Sequence, residues 1–296
     1  MKQWNARYPN RFDLASDQDY LEWRDEKLAA YPANIGELVV ELGDMTALRP
    51  AEKTRILEIV ERANMCVYTA GAAELEMQSL LALGKQLGVA RTDKSARHAQ
   101  SDELTDSGIL NRAIPFSTRH CNWHTDATYY GSDDPIQALF LLCKRPAAEG
   151  GSNKLLDHEM LYIRLRDTDP GALEVLMNRN CFNYRNPATG EIDPHRGGKV
   201  FWTNAEGHLC HRFSFRKTDM AWSDESDVAA ARNVLASLIS DESAHVIEGR
   251  LESGMGLISN NVLHTREKLV DSDDAANKRL LFRTRFYDRV NPEYPA

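Results

Sequence analysis

The stretch CNWHTDATYY, residues 121–130, sets His124 and Asp126 two positions apart, between an indole and a pair of tyrosines. Read as a strand, it sends side chains i and i+2 to the same face, so the imidazole and the carboxylate look into the same interior. A single H-x-D triplet arises by chance in a chain of this length, and its plainer reading is a histidine paired with a surface carboxylate. The choice between the two readings rests on what the rest of the chain brings.

Near the far end, GLISNNVLHTRE (256–267) places His264 at the close of an apolar strand. Two histidines and one carboxylate are the set that holds a non-haem iron(II) on one triangular face and leaves its other positions open. A closed four-ligand site cannot admit both a chelating co-substrate and dioxygen. Shortly after comes RLLFRTRFY (279–287), with Arg279, Arg283 and Arg285 at odd positions among apolar residues. On one strand the three guanidiniums share a face, a costly arrangement unless anions meet them. An edge strand with its cations in water is the plainer alternative. Beside a metal site, a dicarboxylate gripped by paired guanidinium bonds fits better.

The remaining composition is that of a soluble globular chain: 296 residues, 42% hydrophobic and 27% charged. With 36 basic against 44 acidic residues the net charge is −8, and no Lys/Arg run stands out, which excludes nucleic acid and an anionic membrane surface as main partners. Five scattered cysteines (66, 121, 143, 181, 210) form no C-x-x-C pair and suit a reducing, cytoplasmic compartment. The N-terminus lacks the apolar core of a signal peptide, and no run reaches the ~18 apolar residues that cross a bilayer.

Along the chain, Ser16 and Asp19 open a helix that stops at Pro32, Pro50 opens a second, and residues 73–87 make a third, with isolated strands at ELVVEL and CVYTA. From about residue 108 short aromatic and β-branched runs take over: GILNRAIPF, IQALFLLCK, GKVFWTN, GHLCHRFSF, AHVIEG, GLISNNVLH and RLLFRTRFY. Such runs favour a sandwich or barrel. Helical insertions are expected at DHEMLYIRLRD with PGALEVLMN, and from Asp224 to Ser240. The expectation is one domain over 1–296, mainly β with helices, in which a helix-rich part (1–107) packs on a β-core (108–290).

His124-x-Asp126, EGGSNKLLD, NNVLHTR and RLLFR, in that order, resemble the motifs of the TauD/TfdA family of iron(II)- and 2-oxoglutarate-dependent dioxygenases. WHTD, EGGSNKLLDHE and GLISNNVLHTRE are closest in phrasing to the glutarate hydroxylase branch and its amino-acid hydroxylase relatives in the clavaminate synthase-like superfamily. The resemblance implies a double-stranded β-helix, the jelly-roll or cupin-like form of the sandwich. It also implies Fe(2+) held by His124, Asp126 and His264, with 2-oxoglutarate as co-substrate and O2 as oxidant. Arg279 and Arg283 rank together for the distal carboxylate of 2-oxoglutarate, and Arg285 is left for the substrate. Where the taurine branch has a threonine after the Gly-Gly pair, this chain has Ser152 and Asn153, either of which can donate a hydrogen bond. Because halogenating relatives lack the carboxylate ligand, Asp126 implies hydroxylation or a related oxidation. The family is also compatible with a homo-oligomer.

Other residues carry weaker signals. His120 precedes His124 by four, but the nearby Pro115, Trp123 and Thr125 disfavour the helix that would join them. His208 and His211 flank Cys210 in a pattern that sends two of the three to opposite strand faces, so a structural role is expected. Tyr129 stands at the pocket mouth or simply packs. Arg212, Arg185 and Arg285 leave room for an anionic small molecule, a free amino acid or small carboxylic acid, whereas GSDD and DSDD are either lids for a cationic one or solvated loops. Two further readings stay open: a zinc hydrolase on the same two-His-one-Asp set, and a non-catalytic cupin-like binding protein.

Overall fold

The computed structural model describes residues 4–71, 75–93, 102–106, 114–130, 135–186, 189–216, 220–240 and 244–291. Its central strand is Ala138–Arg145. The nearly unbroken apolar run ALFLLC suits a strand covered on both faces. It pairs antiparallel with Met255–Ser259 on one side and Leu280–Phe286 on the other. Met65–Thr69 and Val39–Glu41 extend the sheet beyond the first neighbour, and Asp102–Leu104 closes the opposite edge, giving six strands. A second sheet has four, in the order Ile247–Gly249, Asn153–Leu156, Leu263–Arg266 and Cys121–His124.

From Asp102 onward the chain visits these sheets in the order six, four, six, four, four, six, four, six. The sheets face each other, and Arg283 of one reaches Asp126, just beyond the last strand of the other, at 3.0 Å. Between Asn153–Leu156 and Ile247–Gly249 the chain makes a long excursion. It contains helices His158–Thr168, Pro170–Asn178 and Ser226–Leu238, a three-stranded sheet and a hairpin. Within the six-stranded sheet Gly256 is required sterically: Tyr68 lies across it to donate to the Leu141 carbonyl at 2.8 Å, and a Cβ would overlap both.

The expected helices form as Asp17–Ala30, Pro50–Ala63 and Met77–Gln86, and the two insertions as read. Three differences stand out. The strands expected to be isolated in the first part join the main sheet, so three of its six strands come from before residue 107. GLISNNVLH is two strands rather than one, broken by a turn in which Asn261 takes the left-handed conformation (φ 51°). Of GILNRAIPF, residues 108–113 lie outside the described residues, and Ile114–Phe116 is a 3₁₀ turn.

One buried ion cluster ties the N-terminal helix to the excursion. Lys27, fully buried on Asp17–Ala30, sits 2.6 Å from Asp157 Oδ2 and 2.5 Å from Glu159 Oε2. Asp157 also caps helix His158–Thr168 by accepting from Glu159 N (2.9 Å), and burial pushes its carboxyl up. Removing Lys27 would take from two buried carboxylates the cation that they share. Lys27→Met is therefore expected to lower stability by about 3 to 5 kcal/mol, read as a shift in the denaturant midpoint; a loss under about 1 kcal/mol would show the cluster to be solvated.

Candidate metal centre

His264 and His124 are a directly opposed antiparallel pair, so their side chains leave the sheet on the same face. Their ring centroids are 4.2 Å apart. Each Nδ1 lies on a carbonyl two residues back, His124 on Asn122 at 2.8 Å and His264 on Val262 at 2.9 Å. A carbonyl only accepts, so each Nδ1 carries the proton and each Nε2 keeps its lone pair. Both Nε2 atoms stand 3.7 Å from Asp126 Oδ1. Three electron-pair donors thus converge within 4.8 Å of one another. The Cys121 thiol borders them, 3.7 Å from His124 Nε2, and a divalent cation is what two imidazole nitrogens and a carboxylate oxygen accommodate.

Electrostatics point the same way. Burial holds both imidazoles below the ordinary histidine range, with the Arg216 guanidinium adding to the effect. For Asp126 burial acts upward, but Arg283 and Arg285 outweigh it and hold the carboxyl below its usual value. Two neutral imidazoles and one carboxylate anion are the protonation states that ligate metal.

Strand alternation does not deliver Asp126. The strand ends at His124, and Ala127 takes a left-handed φ of 59°. Asn261 holds Asp126 in place instead. Its Oδ1 accepts from Asp126 N at 2.9 Å, while its Nδ2 donates to Asp126 O at 3.2 Å and Ile136 O at 2.9 Å. The same residue turns the chain into the His264 strand, so one asparagine registers both halves of the site. Sequence reading missed it; the available signal was the paired asparagines, a residue type that tolerates left-handed backbone.

The three arginines share the interior but not a role. Arg283 donates to Asp126 Oδ2 (3.0 Å) and, through Nη2 and Nε, to Asp102 Oδ2 (2.6 and 3.2 Å). Arg285 is engaged by Asp93 at 2.6 Å and by the Tyr129 hydroxyl at 2.9 Å. Arg279 precedes the strand, and a register shift separates Leu280 from Leu281. Arg279 is 7% exposed and lines the cavity that contains His124, Asp126 and His264, and its guanidinium has no carboxylate bonded to it among the described residues. Burial without such a partner pulls it down to about 10.

Asn153 lines that cavity as well, whereas Ser152 donates to Glu248 at 3.3 Å on the outside. Arg266, which sequence reading did not single out, shares the wall and binds the carbonyls of Ser117 (2.7 Å) and Arg119 (2.5 Å). Arg212 is buried over the Phe182 ring and donates to Gly197 O at 2.7 Å, apart from the side chains lining the cavity. Arg185 binds the Gly190 carbonyl at 3.3 Å. His120 is exposed, His208 meets Asn5, and His211 stacks on His158 at 4.4 Å. GSDD lies outside the described residues. In DSDD, Asp271 accepts from Arg279 N (2.6 Å) and Asp274 caps the turn Ala275–Asn277.

Solved structures similar to this one include non-heme iron oxygenases. OrfP, in complex with Fe, succinate and (3S)-hydroxy-L-Arg, matches with a TM-score of 0.60 at 14% identity, over 80% of this chain and 79% of its own. An asparagine oxygenase in complex with Fe(II), 2S,3S-3-hydroxyasparagine and succinate matches with a TM-score of 0.60 at 15% identity, over 96% and 91%. At these identities the likeness is one of fold. Residues 25–285 match the family described as taurine catabolism dioxygenase TauD, TfdA family, and the chain belongs to that family. Among curated proteins a uridine-5'-phosphate dioxygenase from Amycolatopsis sp. is 28% identical over 160 residues, 52% of this chain, which spans 56% of that relative's length.

Asn261→Ala removes three side-chain bonds and a tolerated left-handed residue. The expected result is a loss of about 2 to 3 kcal/mol in denaturant unfolding together with iron(II) binding weaker by at least about tenfold; unchanged iron affinity would show that Asp126 is positioned without it.

Proposed function

We propose that the protein is an iron(II)/2-oxoglutarate-dependent dioxygenase that hydroxylates an unactivated C–H bond of a small molecule while 2-oxoglutarate is decarboxylated to succinate and CO2. One observation carries this reading: three converging donor atoms share a cavity with a buried guanidinium to which no carboxylate among the described residues is bonded. The alternation of the chain between two facing sheets supports a double-stranded β-helix, the jelly-roll form. Strands from both sides of residue 107 share one sheet, which supports a single dioxygenase unit over 1–296.

In this reading His124 and His264 offer Nε2 and Asp126 offers Oδ1 to the iron. The two Nδ1–H bonds to carbonyls fix the rings in the ligating tautomer and orientation. Arg279 would hold the distal carboxylate of 2-oxoglutarate, with Asn153 as a neighbouring donor. Arg283 keeps its charge on Asp126 and Asp102, which favours Arg279 over Arg283 for the co-substrate. Leu139, Leu141 and Leu281 give the cavity apolar walls that restrict water. Bound iron, 2-oxoglutarate and O2 supply the oxidising chemistry that amino-acid side chains lack.

A hydrolase on the same ligands needs a general base. Among the described lining residues the one acid is Asp126, already a ligand and already bonded by Arg283, so this alternative is not favoured. The hydroxyamino acids named with the structural neighbours are in line with a free amino acid or small carboxylic acid as substrate. The curated relative makes uridine 5'-phosphate a second candidate. No described helix is long and apolar enough to cross a membrane; the five cysteines are buried and form no disulfide among the described residues, in line with a reducing, cytoplasmic compartment.

Adding iron(II) and then 2-oxoglutarate to metal-free protein without oxygen is expected to produce a weak visible charge-transfer band, absent in Asp126→Ala. Arg279→Ala should weaken the apparent 2-oxoglutarate affinity by roughly 2 to 4 kcal/mol, the worth of a charge-assisted pair, with the band recovered at high co-substrate. No band at any concentration in the unaltered protein would remove the dioxygenase reading. An unchanged affinity in Arg279→Ala would return the role to Arg283.

A further inference from the structure

We propose that Asp102, on the edge strand Asp102–Leu104, is a positioning residue for the iron site, acting through the fork of Arg283 to hold Asp126 as a single-oxygen ligand. The inference rests on the dioxygenase reading of the same site. It concerns a carboxylate some distance along the chain from every ligand, to which the family's motifs give no role.

The geometry is specific. Arg283 and Asp102 are directly opposed in the antiparallel register. Nη2 and Nε of Arg283 both fall on Asp102 Oδ2, at 2.6 and 3.2 Å. A guanidinium is planar and rigid, so engaging two of its nitrogens on one side fixes the direction of the third. That third nitrogen, Nη1, meets Asp126 Oδ2 at 3.0 Å. Oδ2 is thereby engaged, and Oδ1 is the oxygen left facing both imidazoles. All three side chains are buried, with Asp102 3%, Arg283 7% and Asp126 6% exposed, so their bonds are little screened by solvent.

Charge sharing adds to the aim. Arg283 divides one positive charge between two carboxylates, and Arg285 stands behind, 3.8 Å from Asp102 and held by Asp93 at 2.6 Å. Without the Asp102 charge, Arg283 would be left to Asp126 alone and would compete directly with a cation for that carboxylate. Asp102 therefore sets how much negative charge Asp126 presents to the metal. A plain structural role, stapling the edge strand to Leu280–Phe286, would hold the sheet together and leave metal affinity alone.

The two roles separate in a double-mutant cycle read by metal binding. Iron(II) is titrated without oxygen into metal-free wild-type, Asp102→Asn, Arg283→Gln and the double variant, with saturating 2-oxoglutarate. The charge-transfer band and iron retained after gel filtration are measured, and far-UV circular dichroism reports the fold. Asp102→Asn is expected to weaken iron binding at least about tenfold, the usual scale for a partner of a ligand. In the Arg283→Gln background the same change should cost less than about twofold, because the route to Asp126 is already cut. Asp102→Glu should recover part of the loss.

Equal losses in both backgrounds, or unchanged iron binding in folded Asp102→Asn, overturn the proposal. Should Asp102→Asn fail to fold, Arg283→Lys gives a second reading. It keeps the charge but cannot hold both carboxylates with a planar fork, and iron affinity equal to that of wild type would again overturn the idea. A wild-type protein that gives no band fails at the earlier step, removing the dioxygenase reading and this one with it.

Discussion

Burying two imidazole lone pairs and a carboxylate oxygen around one point is unfavourable unless a cation fills it. Much of the molecule is arranged to hold these three donors together. The opposed pair of His124 and His264 uses the most rigid spacing a sheet offers, that between facing residues of adjacent strands. Carbonyls from each strand's own backbone settle which nitrogen is free. The carboxylate is brought in by a turn, and the turn is held by Asn261. Behind it Arg283 and Arg285 supply positive charge, and Asp102 and Asp93 supply the negative charge that lets those arginines be buried.

The three converging residues could be singled out in the sequence because residue type and order carry their chemistry. IQALFLLCK was readable as one short β run among several; its central place comes from strands that pair on both of its sides. The route by which the ligands meet was less legible. Alternation along a strand predicted that Asp126 would share a face with His124, yet the strand stops at His124 and Ala127 adopts a left-handed φ. Sequence patterns record side-chain polarity; they do not record a backbone conformation imposed by a partner as distant as Asn261.

The arginine strand shows a second limit. Arg279, Arg283 and Arg285 look equivalent in RLLFRTRFY, and nothing local ranks them. What separates them is which carboxylates the fold brings near: Asp102 and Asp126 for one, Asp93 for another. Asp93 and Asp102 belong to a part of the chain read as helix-rich packing, with no motif to mark them. Arg266 escaped notice for a similar reason, since its partners are main-chain carbonyls and any sequence could provide them.

The strand Cys121–His124 is an edge of its sheet, and on its outer side His124 meets Ser214 from the long excursion rather than another core strand. The excursion leaves the core after Asn153–Leu156 and returns at Ile247–Gly249, so it begins and ends in the four-stranded sheet, and its described residues contribute none of the converging donor atoms. The three converging donors and the excursion therefore occupy separate stretches of sequence, yet they are not independent: Ser214 and Arg216 of the excursion border the two imidazoles, and Asp157 and Glu159 at its start hold Lys27.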